Sequence, residues 1–327
     1  MAWDFALECS VAPGKVILFG EHFVVAGKPA IGLAVTRYAK VCVSESSNIE
    51  VYSTSLGYIP PGSKHRELFE ALLAAFKSTY GFEPRVSIHV DSEIPMGSGM
   101  GSSAVIAVAL AHALLSYYGF KPTKEDVQKL AHEAEKAVHY KPSGVDTTLA
   151  TYGGILYYKQ GVFQKLNAEL PREYSLVIVN TGVERSTGTV VREVLERYSR
   201  LGEAGIYIYE AAEKLVEKAL EALRRGDAEA LGELMLVNHG LLWAMGASCS
   251  TCDEVVHMLL RAGVTGAKVS GAGRGGIVVG ISKSDVAERA VEELRKAGFQ
   301  AFTATCDYEG VRSVKAHLSL NTRSGMM

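Results

Sequence analysis

Pro95-Met96-Gly97-Ser98-Gly99-Met100-Gly101-Ser102-Ser103 is followed at once by an apolar, alanine-rich stretch over residues 104–111. A turn built on spaced glycines therefore opens onto a helix whose first turn carries two hydroxyls. A helix start leaves backbone N–H groups unpaired and holds a partial positive charge, so it attracts anions. Gly97, Gly99 and Gly101 let the backbone wrap closely around phosphate oxygens. Residues 95–103 are thus candidate ligands for the phosphates of a nucleotide. A P-loop would end in Gly-Lys-Ser/Thr, yet no lysine stands between residues 94 and 115. The cation has to come from elsewhere in the chain.

Its obvious source is Lys15, in Ala-Pro-Gly-Lys-Val-Ile-Leu-Phe-Gly-Glu-His at 12–22, where it heads a short strand-like run. A third glycine cluster, Lys-Val-Ser-Gly-Ala-Gly-Arg-Gly-Gly-Ile, occupies 268–277. Gly271, Gly273 and Gly276 satisfy G-x-G-x-x-G, but that dinucleotide fingerprint needs a helix after it. Here the β-branched residues 277–281 follow, which makes the context strand, turn, strand and weighs against a dinucleotide-dependent oxidoreductase. The three segments, in this order, resemble the three motifs of the GHMP kinases, the superfamily of galactokinase, homoserine kinase, mevalonate kinase and phosphomevalonate kinase. The resemblance runs from about residue 11 to residue 277.

Composition is that of an ordinary globular protein. The chain has 327 residues, 48% of them hydrophobic, enough for two packed domains or one large one. A formal net charge of -2 and the lack of a dense Lys/Arg run give no reason to expect nucleic acid or a membrane surface as partner. No signal peptide is apparent at the acidic N-terminus, and the apolar run at 104–111 is far short of the roughly 20 residues of a membrane span. Cys9, Cys42, Cys249, Cys252 and Cys306 are odd in number and scattered, which fits free thiols in a reducing compartment, so a cytoplasmic protein is expected. Cys249 and Cys252 have C-x-x-C spacing, but no second pair accompanies them to complete a metal site, and ordinary thiols are the expectation.

Strand-like runs at 15–19, 40–44, 49–53 and 85–90 and a helix at 66–80 precede the phosphate loop. Thr123 and Asp126 resemble a capping box, starting a helix to about His139. Its apolar stripe places Glu135 at a buried edge, where a carboxylate needs either a lysine or a metal ion. A hairpin at 153–163, a strand at 176–180, helices at 207–225 and 228–245, strands at 267–270 and 277–281, a helix at 284–297 and a strand at 300–305 complete the chain. Residues 321–327 read as a frayed tail. The expectation is an α+β fold of two domains, 1–165 for ATP and 166–327 after a soft boundary, with the active site in the cleft between them.

Lys-Pro-Ser-Gly-Val-Asp-Thr at 141–147, Thr-Tyr-Gly-Gly at 151–154, Val-Val-Ala-Gly at 24–27 and Asn-His-Gly-Leu-Leu-Trp-Ala-Met-Gly at 238–246 are similar to the mevalonate kinase family within that superfamily. On local sequence alone, Asp146 after the turn formers Pro142 and Gly144 reads equally as the cap of a helix. The resemblance implies transfer of the ATP γ-phosphoryl group to the 5-hydroxyl of mevalonate. Asp146 is then the base or hydroxyl-orienting carboxylate, with Lys15 beside it to offset charge on the phosphoryl oxygens. Ser103 and Glu135 fall at the matching Mg²⁺ positions. Glu21, His22 and Thr187 are assigned to the substrate side, Thr187 in a polar run with Arg185 and Ser186 that also reads as a plain helix start. Two residues depart from the pattern. Phe19 replaces a residue that is often polar, and Arg274 interrupts a glycine run, where a cation either contacts an anionic ligand, as would suit a phosphorylated acceptor, or simply projects to solvent. Phosphomevalonate kinase or homoserine kinase activity and a non-catalytic small-molecule sensor stay open as alternatives, as does a homodimer.

Overall fold

The structure is a computed structural model that describes residues 7–138 and 143–315. The N-terminal stretch before them, the expected helix end at His139, Lys141, Pro142 and the expected tail at 321–327 lie outside the described residues.

In the first lobe β1 (Leu7–Phe19) leads through a 3₁₀ turn (His22–Ala26) into β2 (Ala30–Glu45), β3 (Glu50–Ser53) and β4 (Gly57–Tyr58). Then come α1 (Glu67–Tyr80), β5 (Val86–Ser92), α2 (Ser102–Tyr117), α3 (Lys124–Val138), α4 (Val145–Tyr152) and the hairpin β6 (Ile155–Lys159) with β7 (Val162–Leu166). The second lobe holds β8 (Tyr174–Asn180), α5 (Thr187–Leu201), α6 (Glu203–Arg225), α7 (Ala228–Ala244) and α8 (Ser250–Arg261). It continues with β9 (Gly266–Ser270), β10 (Ile277–Lys283), α9 (Ser284–Lys296), β11 (Gln300–Ala304) and β12 (Arg312–Val314).

The first sheet has the order β12-β1-β2-β5-β3-β4, with β6 and β7 attached to β2, and the second has the order β11-β8-β10-β9. β12 therefore leaves the second lobe and pairs antiparallel with β1, Cys9 opposite Val314. A domain boundary that gives everything after residue 165 to the second lobe misses this return. The crossing segment is bound to the first lobe by Asp307 N–H to the Ala34 carbonyl at 2.9 Å and by a bridge between Cys306 and Val35.

α2 is apolar around its whole circumference, and its sequence dictates its place. Val105, Val108, Leu110, Leu114 and Leu115 are all buried, so the helix is a central rod beneath the first sheet. Each such side chain stabilises the fold by about 1.5–3 kcal/mol relative to exposure. The rod fixes the position of its own first turn. α3 begins as expected, with the Asp126 N–H donating to Thr123 Oγ1 at 3.1 Å and that hydroxyl donating to the Asp126 carboxylate at 2.6 Å. α5 begins at the helix start read at 185–187, whereas α8 has no counterpart in the sequence reading.

The expectation of free cysteines fails for one pair. The antiparallel register of β1 and β2 sets Cys9 directly opposite Cys42, with Cα atoms 4.1 Å apart, and the two form a disulfide. Cys249, Cys252 and Cys306 are free.

Four histidines are held below their ordinary value of 6.5, burial being the leading cause at each: His22, His89, His112 and His239. His112, for instance, shares a 2.8 Å hydrogen bond with Ser10. The unfolded chain then binds more protons than the folded one near and below pH 6.5, so stability rises with pH there. Stability should be complete above pH 6.5 and decline as pH falls through the lowered values. Urea midpoints at pH 7.5, 6.0 and 5.0 should fall in that order, and a flat series would contradict the argument.

Candidate active site

A cleft of about 970 Å³ opens between the lobes. Its floor comes from the first lobe, and Arg185, Thr187, Gly271, Ala272 and Gln300 bring the second lobe to its edge.

The phosphate loop ends at Gly101, which takes the left-handed conformation (φ 78°) as N-cap of α2 and supplies no side-chain cap. Gly101 thus brings the start of α2 to the cleft with no capping side chain of its own in the way, the arrangement an anion requires. α5 offers a contrast, because Ser186 caps it by accepting the Thr189 N–H. Pro95, Met96, Gly97, Gly99, Gly101, Ser102 and Ser103 line the cleft. Ser98 and Met100 do not: both are buried, Met100 entirely, so any contact they make to a ligand has to be through the backbone.

The main chain of Lys15 donates to the Met100 carbonyl at 3.1 Å, which fastens β1 to the phosphate loop. Its side chain is buried, and Nζ lies 3.3 Å from Asp146 Oδ1. Asp146 is in the first turn of α4, whose N-cap is Gly144, so the reading of Asp146 as a helix cap is set aside. A Cβ placed on Gly101 would meet the Asp146 carboxylate at 3.4 Å. The Lys15–Asp146 pair therefore lies against the very start of α2.

Glu135, on α3, is buried and lines the same cleft as Ser103. Glu21 lines it too, but its carboxylate pairs with Lys268, which is wholly buried on β9, and accepts from Asn238 Nδ2 at 3.3 Å. His22 Nε2 donates to the Ala272 carbonyl at 2.7 Å, so its ring is turned to the third glycine cluster and not to the cleft. Thr187 is the first residue of α5 and faces the cleft. The guanidinium of Arg185 lies between the glycine loops of both lobes. It donates to the Gly97 carbonyl at 3.1 Å, and a Cβ on Gly276 would meet it at 2.6 Å. Burial lowers its pKa.

Arg274 behaves otherwise than the motif suggests. It sits at φ 52°, where glycine is favoured, and its side chain pairs with Glu193 of α5 and donates to the Gly246 carbonyl. It is not among the residues lining the cleft, so the sequence argument for a phosphorylated acceptor loses its cation. Phe19 is fully buried and contributes to the core. Sequence reasoning passed over Ser53, Leu56, Lys64 and His65, which form one wall of the cleft; they belong to no glycine motif and carry no local signal.

A cleft between two lobes, with a buried lysine and a carboxylate set against a glycine-turned helix start, is the frame of a small-molecule kinase. The family description "GHMP kinases N terminal domain" matches residues 67–154, and "GHMP kinases C terminal" matches 219–300. A mevalonate kinase of Aeropyrum pernix is 40% identical over 92% of this chain and 96% of its own, and one of Pyrococcus horikoshii is 38% identical over the same shares. The solved structure of L. major mevalonate kinase in complex with R-mevalonate superposes with a TM-score of 0.81 at 31% identity, covering 91% of this chain and 95% of that one. The chain belongs to the GHMP kinases and, within them, to the mevalonate kinase family. It is an ATP-dependent kinase.

Proposed function

We propose that this protein transfers the γ-phosphoryl group of ATP to the 5-hydroxyl of (R)-mevalonate, with Asp146 and Lys15 as the reacting pair. The observation that carries this reading is the Lys15–Asp146 contact of 3.3 Å set against Gly101 at the glycine-turned start of α2. Phosphoryl transfer asks a protein chiefly for position and charge neutralisation. The α2 N–H groups and the backbone of 97–101 hold the polyphosphate. Asp146 orients the acceptor hydroxyl and takes its proton as the oxygen attacks phosphorus. Lys15 offsets the charge that grows on the transferring phosphoryl oxygens, and the bulk of β1 around it keeps water away. Thr187 contributes a hydroxyl on the acceptor side, and Glu21, held by Lys268, shapes the wall behind it.

The residues present fit Mg²⁺. Among the described residues no group of three or more His, Cys, Asp or Glu side chains forms a metal cluster, and Mg²⁺ does not ask for one. It takes one or two hard oxygens from protein and fills its remaining positions with water and phosphate. Ser103 and Glu135 offer a hydroxyl and a carboxylate on the cleft. When bound, the ion would neutralise phosphate charge. Glu135→Gln should raise the Mg²⁺ concentration for half-maximal rate by about tenfold, on the scale of one lost anionic ligand. An unchanged Mg²⁺ dependence with a lower melting temperature would assign Glu135 to the fold alone.

Acceptor choice is tested by ADP release with mevalonate, phosphomevalonate, homoserine and galactose in parallel. Mevalonate should be turned over in clear preference to the other three. Preference for phosphomevalonate would overturn the assignment.

A further inference from the structure

Outside the residues that line the cleft, Cys249 and Cys252 bring their sulfurs to 3.2 Å from one another. Cys249 is the N-cap of α8 and is half-buried, while Cys252, one turn in, is fully buried. The strap just before these cysteines lies on the loop of the third glycine cluster. The Arg274 N–H donates to the Ala247 carbonyl at 2.9 Å, and a Cβ on Gly273 would fall 1.8 Å from that same oxygen. On its other side the loop is tied to Val183, whose carbonyl accepts the Gly276 N–H at 3.2 Å, and Gly276 packs on Arg185, which reaches Gly97. The dithiol is therefore in contact, through one short loop, with the residue that joins the two glycine loops across the cleft.

We propose that Cys249 and Cys252 form a reversible redox site, oxidised by disulfide-bearing thiols, that loosens the nucleotide cleft when it closes to a disulfide. Bonding requires the sulfurs to approach from 3.2 Å to about 2.05 Å. Ser248 Oγ donates to Asp253 Oδ1 at 2.5 Å and Trp243 Nε1 to Asp253 Oδ2 at 3.0 Å, which pins the start of α8. The movement then passes from Cys249 along the strap to Ala247, whose carbonyl holds the Arg274 N–H, and loosens the loop. Cys249, the accessible thiol, attacks one sulfur of the oxidant as its thiolate, and one thiolate leaves. Burial pushes the Cys252 thiol up to about 12, so it acts second. It attacks the Cys249 sulfur of the mixed disulfide, its proton passes to the second leaving thiolate, and the Cys249–Cys252 bond forms. Two thiols have been oxidised and one external disulfide reduced to two thiols, so two electrons are transferred. The effect on turnover rests on the function proposed above, but the effect on the loop does not.

The test treats the full chain with oxidised glutathione and follows the linkage by mass spectrometry of an unreduced digest. It also follows hydrogen exchange at residues 271–276, ADP affinity and kcat/KM. A Cys249–Cys252 disulfide should appear, exchange in the loop should quicken, and kcat/KM should fall about 10- to 100-fold, the scale on which ångström misplacement acts. Dithiothreitol should reverse all three. Cys249→Ser should match the untreated parent in rate and ignore the oxidant. Failure of the disulfide to form overturns the proposal, as does its formation with loop exchange and ADP affinity unchanged, or a Cys249→Ser protein that still responds. A reduced protein that binds ADP but does not phosphorylate mevalonate would instead refute the assigned reaction and leave the loop response to decide the redox site.

Discussion

Replacing Asp146 by asparagine should lower kcat by about 10²- to 10⁴-fold, the range a positioned general base supplies. The amide has the same shape and can keep the contact with Gly101, so the start of α2 stays as it is and ATP should bind as before. What is lost is an acceptor for the hydroxyl proton and the counter-charge 3.3 Å from Lys15. Because the loss lies in the transition state, kcat and kcat/KM should fall together. Steady-state kinetics alongside calorimetric titration with a non-hydrolysable ATP analogue separates the two effects. A variant that turns over within about threefold of the parent would remove Asp146 from the reaction.

Lys268→Met should cost about 3–5 kcal/mol of stability, the usual penalty for breaking one side of a buried ion pair. Lys268 is fully enclosed, with Glu21 and the Val269 carbonyl as its acceptors. Methionine leaves the Glu21 carboxylate buried with the Asn238 amide as its donor among the described residues. The matching expectation concerns the pair: adding Glu21→Leu should recover most of the loss, since an apolar pair of similar volume can be as stable as the ionic one. Urea midpoints at constant m-value measure both steps. If Lys268→Met alone costs less than about 1 kcal/mol, the pair is not the fastening between lobes that its burial suggests.

The phosphate site could be read in advance because its chemistry is local. Three glycines, two hydroxyls and an apolar helix are consecutive in the chain, and their physics needs no partner. Lys15 and Asp146 were each marked by a neighbouring turn, but their meeting was implied only by family resemblance. Contacts between residues far apart in sequence left no trace. Cys9 and Cys42 are 33 residues apart and meet through strand register alone. Lys268 and Glu21 were both in quoted motifs, yet their pairing depends on β9 docking beside the end of β1, where Ser270 Oγ accepts the Ile17 N–H at 2.9 Å. The direction of Arg274, toward a ligand or toward solvent, stays open in the sequence because it follows from what surrounds the side chain, here Glu193 of α5. β12 was missed because three residues at the edge of a sheet are too few to show a period.

That last strand has a mechanical consequence. The chain crosses between the lobes twice, once between β7 and β8 and again after β11, and the second crossing is fixed by Asp307 and β12 to the sheet that it rejoins. A body attached at two points can swing about the line joining them but cannot easily twist or slide away. Here the Lys268–Glu21 pair and the hydrogen bonds between Ser270 and Ile17 add ties beside the two crossings, so the lobes are held against swinging as well. The same layout means that the first lobe cannot be completed until residues 312–314 have been synthesised, so a ribosome-bound nascent chain lacking residues 305–315 would hold an N-terminal sheet with β1 still exposed at its rim.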